Sequence, residues 1–346
     1  MNYCGIDVAM KSSYLYVTDG GGRIRCKGEI PTTAEGIGRA LRRFVGDGLK
    51  VAIEAGNQTA WIHDLLVGLG AEVTVVNPNK VKLIAESRRK TDKIDAKILC
   101  ELLRLDGLPT PVHVPSRQTR ELRGLLVARR QLVRARAKLC NVVRGMLRQE
   151  GVSLAPRQLG TFVGWQRLLA RRFTHEHLGP VVEAYYGSFV SLTRSIQAMD
   201  KQLAVREKQD ERAARLQTIP RVGRIASLTF LGAVDDVHRF ASSRKLASYA
   251  GLCPTVRSSG ERTEYGSISR EGRSELRAVW VQIAHLVARD RDRSTARLRR
   301  WYSKVASHRG KKTAMVALAR KLLMIAYRLL YDQTDYRCAL VGRSAR

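Results

Sequence analysis

Two aspartates three residues apart, Asp92 and Asp95, stand where the basic run Ser87-Arg88-Arg89-Lys90 gives way to the apolar-periodic segment Ile94, Ile98, Leu99, Leu102, Leu103. That spacing predicts a helix with both carboxylates on one face near its start. Two further acids lie upstream in strand-like settings. Asp7 falls within Tyr3-Cys4-Gly5-Ile6-Asp7-Val8-Ala9, and Glu54 ends Lys50-Val51-Ala52-Ile53-Glu54-Ala55. Singly, each has an ordinary use: a strand-end aspartate forms turns, and Asp92 could cap a helix. Asp7 and Glu54 differ because apolar neighbours flank both, where a lone acid is seldom placed without a partner. Four gathered carboxylates repel one another unless a cation joins them. Hard ions such as Mg²⁺, or Mn²⁺ in its place, take carboxylate oxygens. Two such ions can clamp the attacking and leaving oxygens of a phosphodiester in an in-line displacement.

The elements that must carry these acids can be read from period and punctuation. Tyr3 to Val8, Ser13 to Thr18 and Arg23 to Ile30 read as a three-stranded meander, with Asp19-Gly20-Gly21-Gly22 as a turn. Thr33 caps a helix over Ala34 to Val45; a strand over Val51 to Glu54, a helix over Gln58 to Leu69 and a strand over Ala71 to Val76 follow. This is an α/β sheet covered by helices, with the acids at strand ends and a helix start in one crevice.

Charge and length bound what such a site can serve. The 346 residues favour two or three domains. Sixty-two Lys and Arg against 31 Asp and Glu leave a net charge of +31, spread along most of the chain. Nucleic acid is the expected partner. No basic segment carries the Trp or Phe anchors of a membrane-surface helix, and no apolar run reaches about 18 residues, so no membrane association is expected. The N-terminus lacks a secretory pattern, and the six cysteines form no C-x-x-C pair. They read as reduced packing residues of a cytoplasmic protein.

Pro109, Pro111 and Pro115 mark a linker, after which Ser116 is a good N-cap. Arg117 to about Gln149 carries an apolar stripe (Leu122, Leu125, Leu132, Leu139, Val143, Met146) and predicts a helix on the order of 50 Å long. A second segment, about Val181 to Leu216, predicts its partner in a helical hairpin or coiled coil. Arginines such as Arg129, Arg130 and Arg134 fill the other faces of the first helix. They are either a solvated surface or, since acids there are almost absent, phosphate contacts. Thr218-Ile219-Pro220-Arg221-Val222-Gly223-Arg224 resembles the turn of a helix-hairpin-helix, or an ordinary turn between helices. A small-residue stretch, Ser258-Ser259-Gly260 to Gly266-Ser267-Ile268-Ser269-Arg270-Glu271-Gly272-Arg273, reads from composition as a loop solvated by its hydroxyls. No histidine lies beside it to activate a serine. Helices over Ser274 to Arg289 and Thr313 to Leu330 close the chain.

Gly5-Ile6-Asp7-Val8-Ala9, Ile53-Glu54-Ala55-Gly56, Val76-Asn77-Pro78 and Lys90-Thr91-Asp92-Lys93-Ile94-Asp95-Ala96 resemble the N-terminal RuvC-like DEDD domain of one insertion-sequence transposase family. It is the Piv/MooV-type family, which includes DNA invertases and bridge-RNA-guided serine recombinases. Tyr249-Ala250-Gly251-Leu252-Cys253-Pro254 and the serine-rich stretch are similar to its C-terminal transposase domain. The resemblance implies an RNase H-like (RuvC-like) α/β domain over 1–110, a coiled coil over 116–216 and a mainly helical transposase domain over 217–346. Asp7, Glu54, Asp92 and Asp95 then match the metal-binding acids. The catalytic serine, which precedes the glycine, falls on Ser259, with Ser258 its adjacent rival. The implied activity is DNA strand cleavage and rejoining through a phosphoserine, with double-stranded donor and target DNA, a noncoding guide RNA and a dimer-of-dimers assembly. Arg88, Arg89, Lys90, Arg129, Arg130, Arg134, Arg221, Arg224, Arg244, Lys245, Arg270 and Arg273 are the candidate nucleic-acid contacts. The competing readings are a RuvC-type metal-dependent junction nuclease and a non-catalytic nucleic-acid-binding scaffold.

Overall fold

The structure, a computed structural model, describes residues 1–84, 92–173, 175–259 and 262–336. The chain divides into two compact units, Met1–Pro115 and Ser116–Arg346.

In the first unit, β1 (Asn2–Asp7), β2 (Ser12–Asp19) and β3 (Ile24–Pro31) form the expected meander. Asp19 makes its turn: one side-chain oxygen accepts from the backbone N–H of Gly21 and of Arg23, each at 3.0 Å, and Gly22 takes φ 82°. Helix α1 (Ala34–Val45) starts where predicted, with the Thr33 hydroxyl accepting from Gly36 N at 3.0 Å. Next come β4 (Leu49–Glu54), α2 (Thr59–Gly68), β5 (Glu72–Val76), α3 (Pro78–Ile84) and α4 (Asp92–Arg104). The sheet order is β3-β2-β1-β4-β5, with β1, β4 and β5 parallel and the meander antiparallel.

Strand alternation sorts the sheet into two faces. Cys4, Ile6, Leu15, Val17, Val51 and Ile53 pack with Ile37, Leu41, Ile62 and Leu66 of α1 and α2. Tyr16 and Ala52 pack on the other face against Ala96, Leu99 and Cys100 of α4. Helix α4 seats closely here because residue 5 is glycine: a Cβ on Gly5 would stand 2.1 Å from the Ala96 carbonyl oxygen and 2.5 Å from Cys100 N. The Cys100 thiol completes the seat by donating to the Tyr3 carbonyl at 3.2 Å.

The second unit opens on α5 (Arg117–Gln149), capped by Ser116, whose hydroxyl also binds Asp235 at 3.0 Å. A single 3₁₀ turn (Gln158–Gly160), α6 (Phe162–Leu169) and α7 (Leu178–Lys208) follow. Pairings of Arg129 with Asp200, Arg136 with Thr193 and Glu121 with Arg206 give α5 and α7 an antiparallel register. Trp165, Phe189, Val143 and Leu147 close a small core at the hairpin's far end. The predicted second long segment is two helices rather than one. Helix α7 stops at Lys208, and Asp210 accepts from Arg212 N at 3.0 Å to start α8 (Glu211–Gln217). An apolar stripe cannot announce that break, because it continues across it.

Helix α9 (Arg224–Val234) is the centre of the second unit, buried at every position from Ala226 to Val234. Around it lie α10 (Ser243–Tyr249), α11 (Ser274–Arg289), a 3₁₀ turn (Arg293–Thr295), α12 (Ala296–Arg309) and α13 (Lys311–Tyr331), with Trp280 set edge-on against Phe230. The serine-rich stretch is not the loop that composition suggests: β6 (Pro254–Ser259) and β7 (Arg262–Ile268) pair antiparallel, Ser259 opposite Arg262. Among the described residues five cysteines are free thiols, and no helix is long and apolar enough to cross a membrane.

Candidate active site

Register brings the acid-bearing positions to one edge of the first sheet. The parallel pairing of β1 with β4 ends at Ile6 opposite Ile53, so Asp7 and Glu54 follow side by side at the C-terminal ends of neighbouring strands. Alternation aims both toward the face that α4 covers, since Gly5 and Ala52 touch α4 two residues earlier on the same strands. Helix α4 runs back along β1, with Ala96 over Gly5 and Cys100 beside Tyr3. Its first turn, bearing Asp92 and Asp95, therefore lies toward the end where Asp7 sits. A helix N-terminus favours carboxylates, which suits two acids in one turn.

Asp7, Glu54 and Asp95 are half-buried and Asp92 is exposed. Asp7 and Glu54 are each engaged in polar or electrostatic interactions. Among the described residues no group of three His, Cys, Asp or Glu side chains is placed to hold a metal ion. The backbone positions converge, while the side chains do not close into one ligand set. As a donor set, four carboxylates suit a hard divalent cation. The loop beyond β4 is tied down by groups that spacing alone did not single out. The Thr59 hydroxyl donates to the Glu54 carbonyl at 3.2 Å and accepts from Gly56 N at 2.6 Å, and the Gln58 amide reaches the Ala9 carbonyl at 3.1 Å.

In the second unit the hairpin that carries Ser258 and Ser259 is clamped at its base. Gly251 (φ 66°) and Gly272 (φ 82°) lie where side chains would collide: added Cβ atoms would stand 2.2 Å from the Glu271 carbonyl oxygen and 2.1 Å from that of Tyr249. Ser269 N donates to the Cys253 carbonyl at 2.9 Å and Arg273 N to that of Tyr249 at 3.1 Å. Gly260, which follows Ser259, lies outside the described residues.

The candidate cations fall into three groups. Arg88, Arg89 and Lys90 lie outside the described residues. Arg244, Lys245 and Arg270 are exposed, Arg270 with left-handed backbone at φ 56°. The rest, half-buried at Arg129, Arg130 and Arg273 and exposed at Arg134, Arg221 and Arg224, are paired or line a groove. Arg129 pairs with Asp200, Arg224 with Glu207, and Arg221 with Asp290 at 2.6 Å. Arg273 donates to the Tyr249 phenol at 3.0 Å. Burial pushes that phenol up, but the Arg273 bond and the charges of Arg273 and Arg239 bring it below its ordinary value. A groove of about 490 Å³ between α5, α9 and α11 is lined by Arg123, Arg129, Arg130, Arg134 and Arg273, with Glu275 among them. The buried Nε of Arg130 lacks a hydrogen-bond partner among the described residues. Arg123, one of the first-helix arginines read as surface or phosphate contacts, and Arg239, which spacing does not flag, bind the last carbonyls of α9: Arg123 those of Gly232 and Ala233, Arg239 that of Val234 at 2.8 Å. They neutralise the negative end of that helix.

Comparison with known proteins places these features in a family context. Residues 4–151 match the IS110-type DEDD transposase family, and residues 213–300 match the transposase IS116/IS110/IS902 family. The chain is 28% identical over 291 residues to the transposase for insertion sequence element IS1111A of Coxiella burnetii, covering 83% of this chain and 79% of that protein. It is 28% identical to a probable family 20 transposase of Pseudomonas aeruginosa (83% and 85% covered), and 27% identical to the pilin gene-inverting protein of Moraxella bovis (77% and 74%). The five-stranded mixed sheet over a mostly helical second unit is consistent with an RNase H-like DEDD domain, and such a domain points to dependence on a divalent metal.

Proposed function

The chain is a DNA transposase or recombinase with IS110/IS116-type transposase domains, and from that premise we propose that it breaks and rejoins DNA through a covalent serine intermediate assisted by the four N-terminal acids. The observation that supports this most is the register, which sets Asp7 beside Glu54 and turns the start of α4 toward them. Asp7, Glu54, Asp92 and Asp95 would hold Mg²⁺, which when bound would supply positive charge against the phosphate as negative charge develops there. Ser259 is the nucleophile. Its hydroxyl oxygen bonds to phosphorus as a deoxyribose oxygen leaves and takes up the hydroxyl proton. The phosphoserine keeps the bond energy, so a second DNA end reverses the exchange and frees the serine without ATP. Resemblance supports two further parts of this reading: a noncoding RNA from the element selects the DNA, and the working form is a dimer of dimers.

A nuclease of the junction-cleaving type would use the same acids to direct water, leaving the β6–β7 hairpin structural. Trapping decides between the two. Ser259→Ala should abolish covalent protein–DNA product on denaturing gels while DNA binding survives, and Ser258→Ala should retain it. Asp95→Asn should remove cleavage, a loss of at least about 10²-fold, with the thermal melt unchanged. Recombination by Ser259→Ala would refute the serine assignment, and cleavage by Asp95→Asn would refute the metal role.

A further inference from the structure

The groove between α5, α9 and α11 joins an apolar floor to cationic walls. Its volume, about 490 Å³, lies within the range of pockets that bury a small ligand. The floor is only partly covered: Leu126, Val133, Ile225 and Val279 are half-buried, and Val127 and Ala278 are exposed. Among the described residues that line it, five are arginines and one, Glu275, is acidic. Asp200 pairs with Arg129 from the adjoining side. Burial pulls the Arg123 guanidinium below its ordinary value, and the neighbouring charge of Arg273 pulls it further. Arg130 is half-buried, and its buried Nε lacks a hydrogen-bond partner among the described residues. An anion accepting from these guanidiniums offsets the repulsion among them and supplies the missing acceptor.

Shape narrows the choice of anion. A second hollow of about 460 Å³ adjoins the groove, sharing Arg129, Ile225, Val279 and Gln282 with it and adding Arg221 and Arg224. Together they form a trough that follows α9 from Arg224 at its start to Gly232 and Ala233 near its end. A lone phosphate leaves an apolar floor of this extent uncovered. A duplex brings phosphates but keeps its base faces stacked inside. An unpaired strand offers both groups at once, and its flat bases can lie on aliphatic side chains and guanidinium planes.

We propose that this trough binds a short stretch of single-stranded DNA, with phosphates on Arg130 and Arg134 and bases on the apolar floor. The proposal rests on the reading that the protein breaks and rejoins DNA, a reaction that takes strands out of a duplex. It adds a site that neither the four acids nor Ser259 provides.

The test is titration of the full-length protein, across a salt series, with a fluorescent tract of about ten thymidines, a uridine RNA tract of equal length and a DNA duplex. Arg130→Gln/Arg134→Gln removes two phosphate contacts and should make the slope of log K against log salt for the thymidine tract shallower by about 1.4. Ala278→Glu puts a carboxylate on an exposed floor position of α11 and should weaken the same binding at least tenfold, with the thermal melt unchanged. Lys138→Gln/Arg148→Gln, an equal charge loss at exposed positions of α5 outside the groove, should keep the wild-type slope. Duplex binding should change less than tract binding in both groove variants. Thymidine-tract binding unaltered in both groove variants overturns the proposal, and so does an equal change in the control, which would trace the effect to bulk charge. Loss of RNA or duplex binding with thymidine-tract binding intact overturns it as well. A wild-type protein that binds duplex but no single strand brings down this proposal alone, whereas one that binds no DNA brings down the recombinase reading.

Discussion

Arg221 sits in the turn between α8 and α9 with left-handed backbone, φ 68°, and its guanidinium forks onto both oxygens of Asp290. That contact holds the Asp290 carboxyl down at about 2, against an ordinary 3.8. A depressed carboxyl stabilises the fold above its unfolded value, and the contribution is lost as pH falls through the folded one. Arg221→Ala should therefore melt below wild type near neutrality. The gap between the two should close as pH drops from about 4 to about 2, read by thermal melts and by the Asp290 carboxyl titration. A gap independent of pH would show that the arginine acts by packing alone. The same residue shows why charge in sequence is a poor guide to contact: Arg221 and Arg224 read as phosphate ligands, and in the fold both meet carboxylates.

Glycines decide how the elements carrying chemistry are seated. Gly5 lets the backbone of α4 lie directly on β1, and Gly272 lets the base of the β6–β7 hairpin lie on Tyr249. Gly5→Ala should cost on the order of 1–3 kcal/mol by overpacking and shift the first turn of α4, lowering cleavage more than stability alone explains. Gly272→Ala adds a strained positive φ to the collision. It should lower covalent DNA trapping while leaving the metal response of the first unit intact, as followed by gel assay and calorimetry. At this scale much was legible. Thr33 and Ser116 mark helix starts because a side-chain oxygen must satisfy free N–H groups there, and the Asp19-Gly20-Gly21-Gly22 turn declares its own geometry. The hairpin was not legible, because serine and glycine composition cannot distinguish a loop from a strand whose pairing partner lies across a turn.

For the whole molecule, the two compact units have separate apolar cores, one between the first sheet and α1 and α2, the other around α9. Calorimetry of the intact protein should show two transitions. Mg²⁺ should raise only the one belonging to residues 1–115, by about 2.7 kcal/mol at a hundred times its dissociation constant, and Asp7→Asn should remove that rise. A single transition indifferent to Mg²⁺ would contradict both the independence of the units and the metal reading. Excess positive charge acts at this scale too, since it predicts a polyanion partner without saying which arginines touch it.

Much about this protein was determined by local chemistry written along the chain. The meander, the capped helices, the long α5 and the four acids in recognisable settings all follow from periodicity, caps and turn residues, which act over a few positions. Only tertiary structure decided that Asp7 falls beside Glu54, that α7 breaks before Asp210, and that Arg129, Arg221 and Arg224 are held by carboxylates. Those outcomes depend on strand register, on glycine-allowed close packing and on charges far apart in sequence, and no window of neighbouring residues contains them.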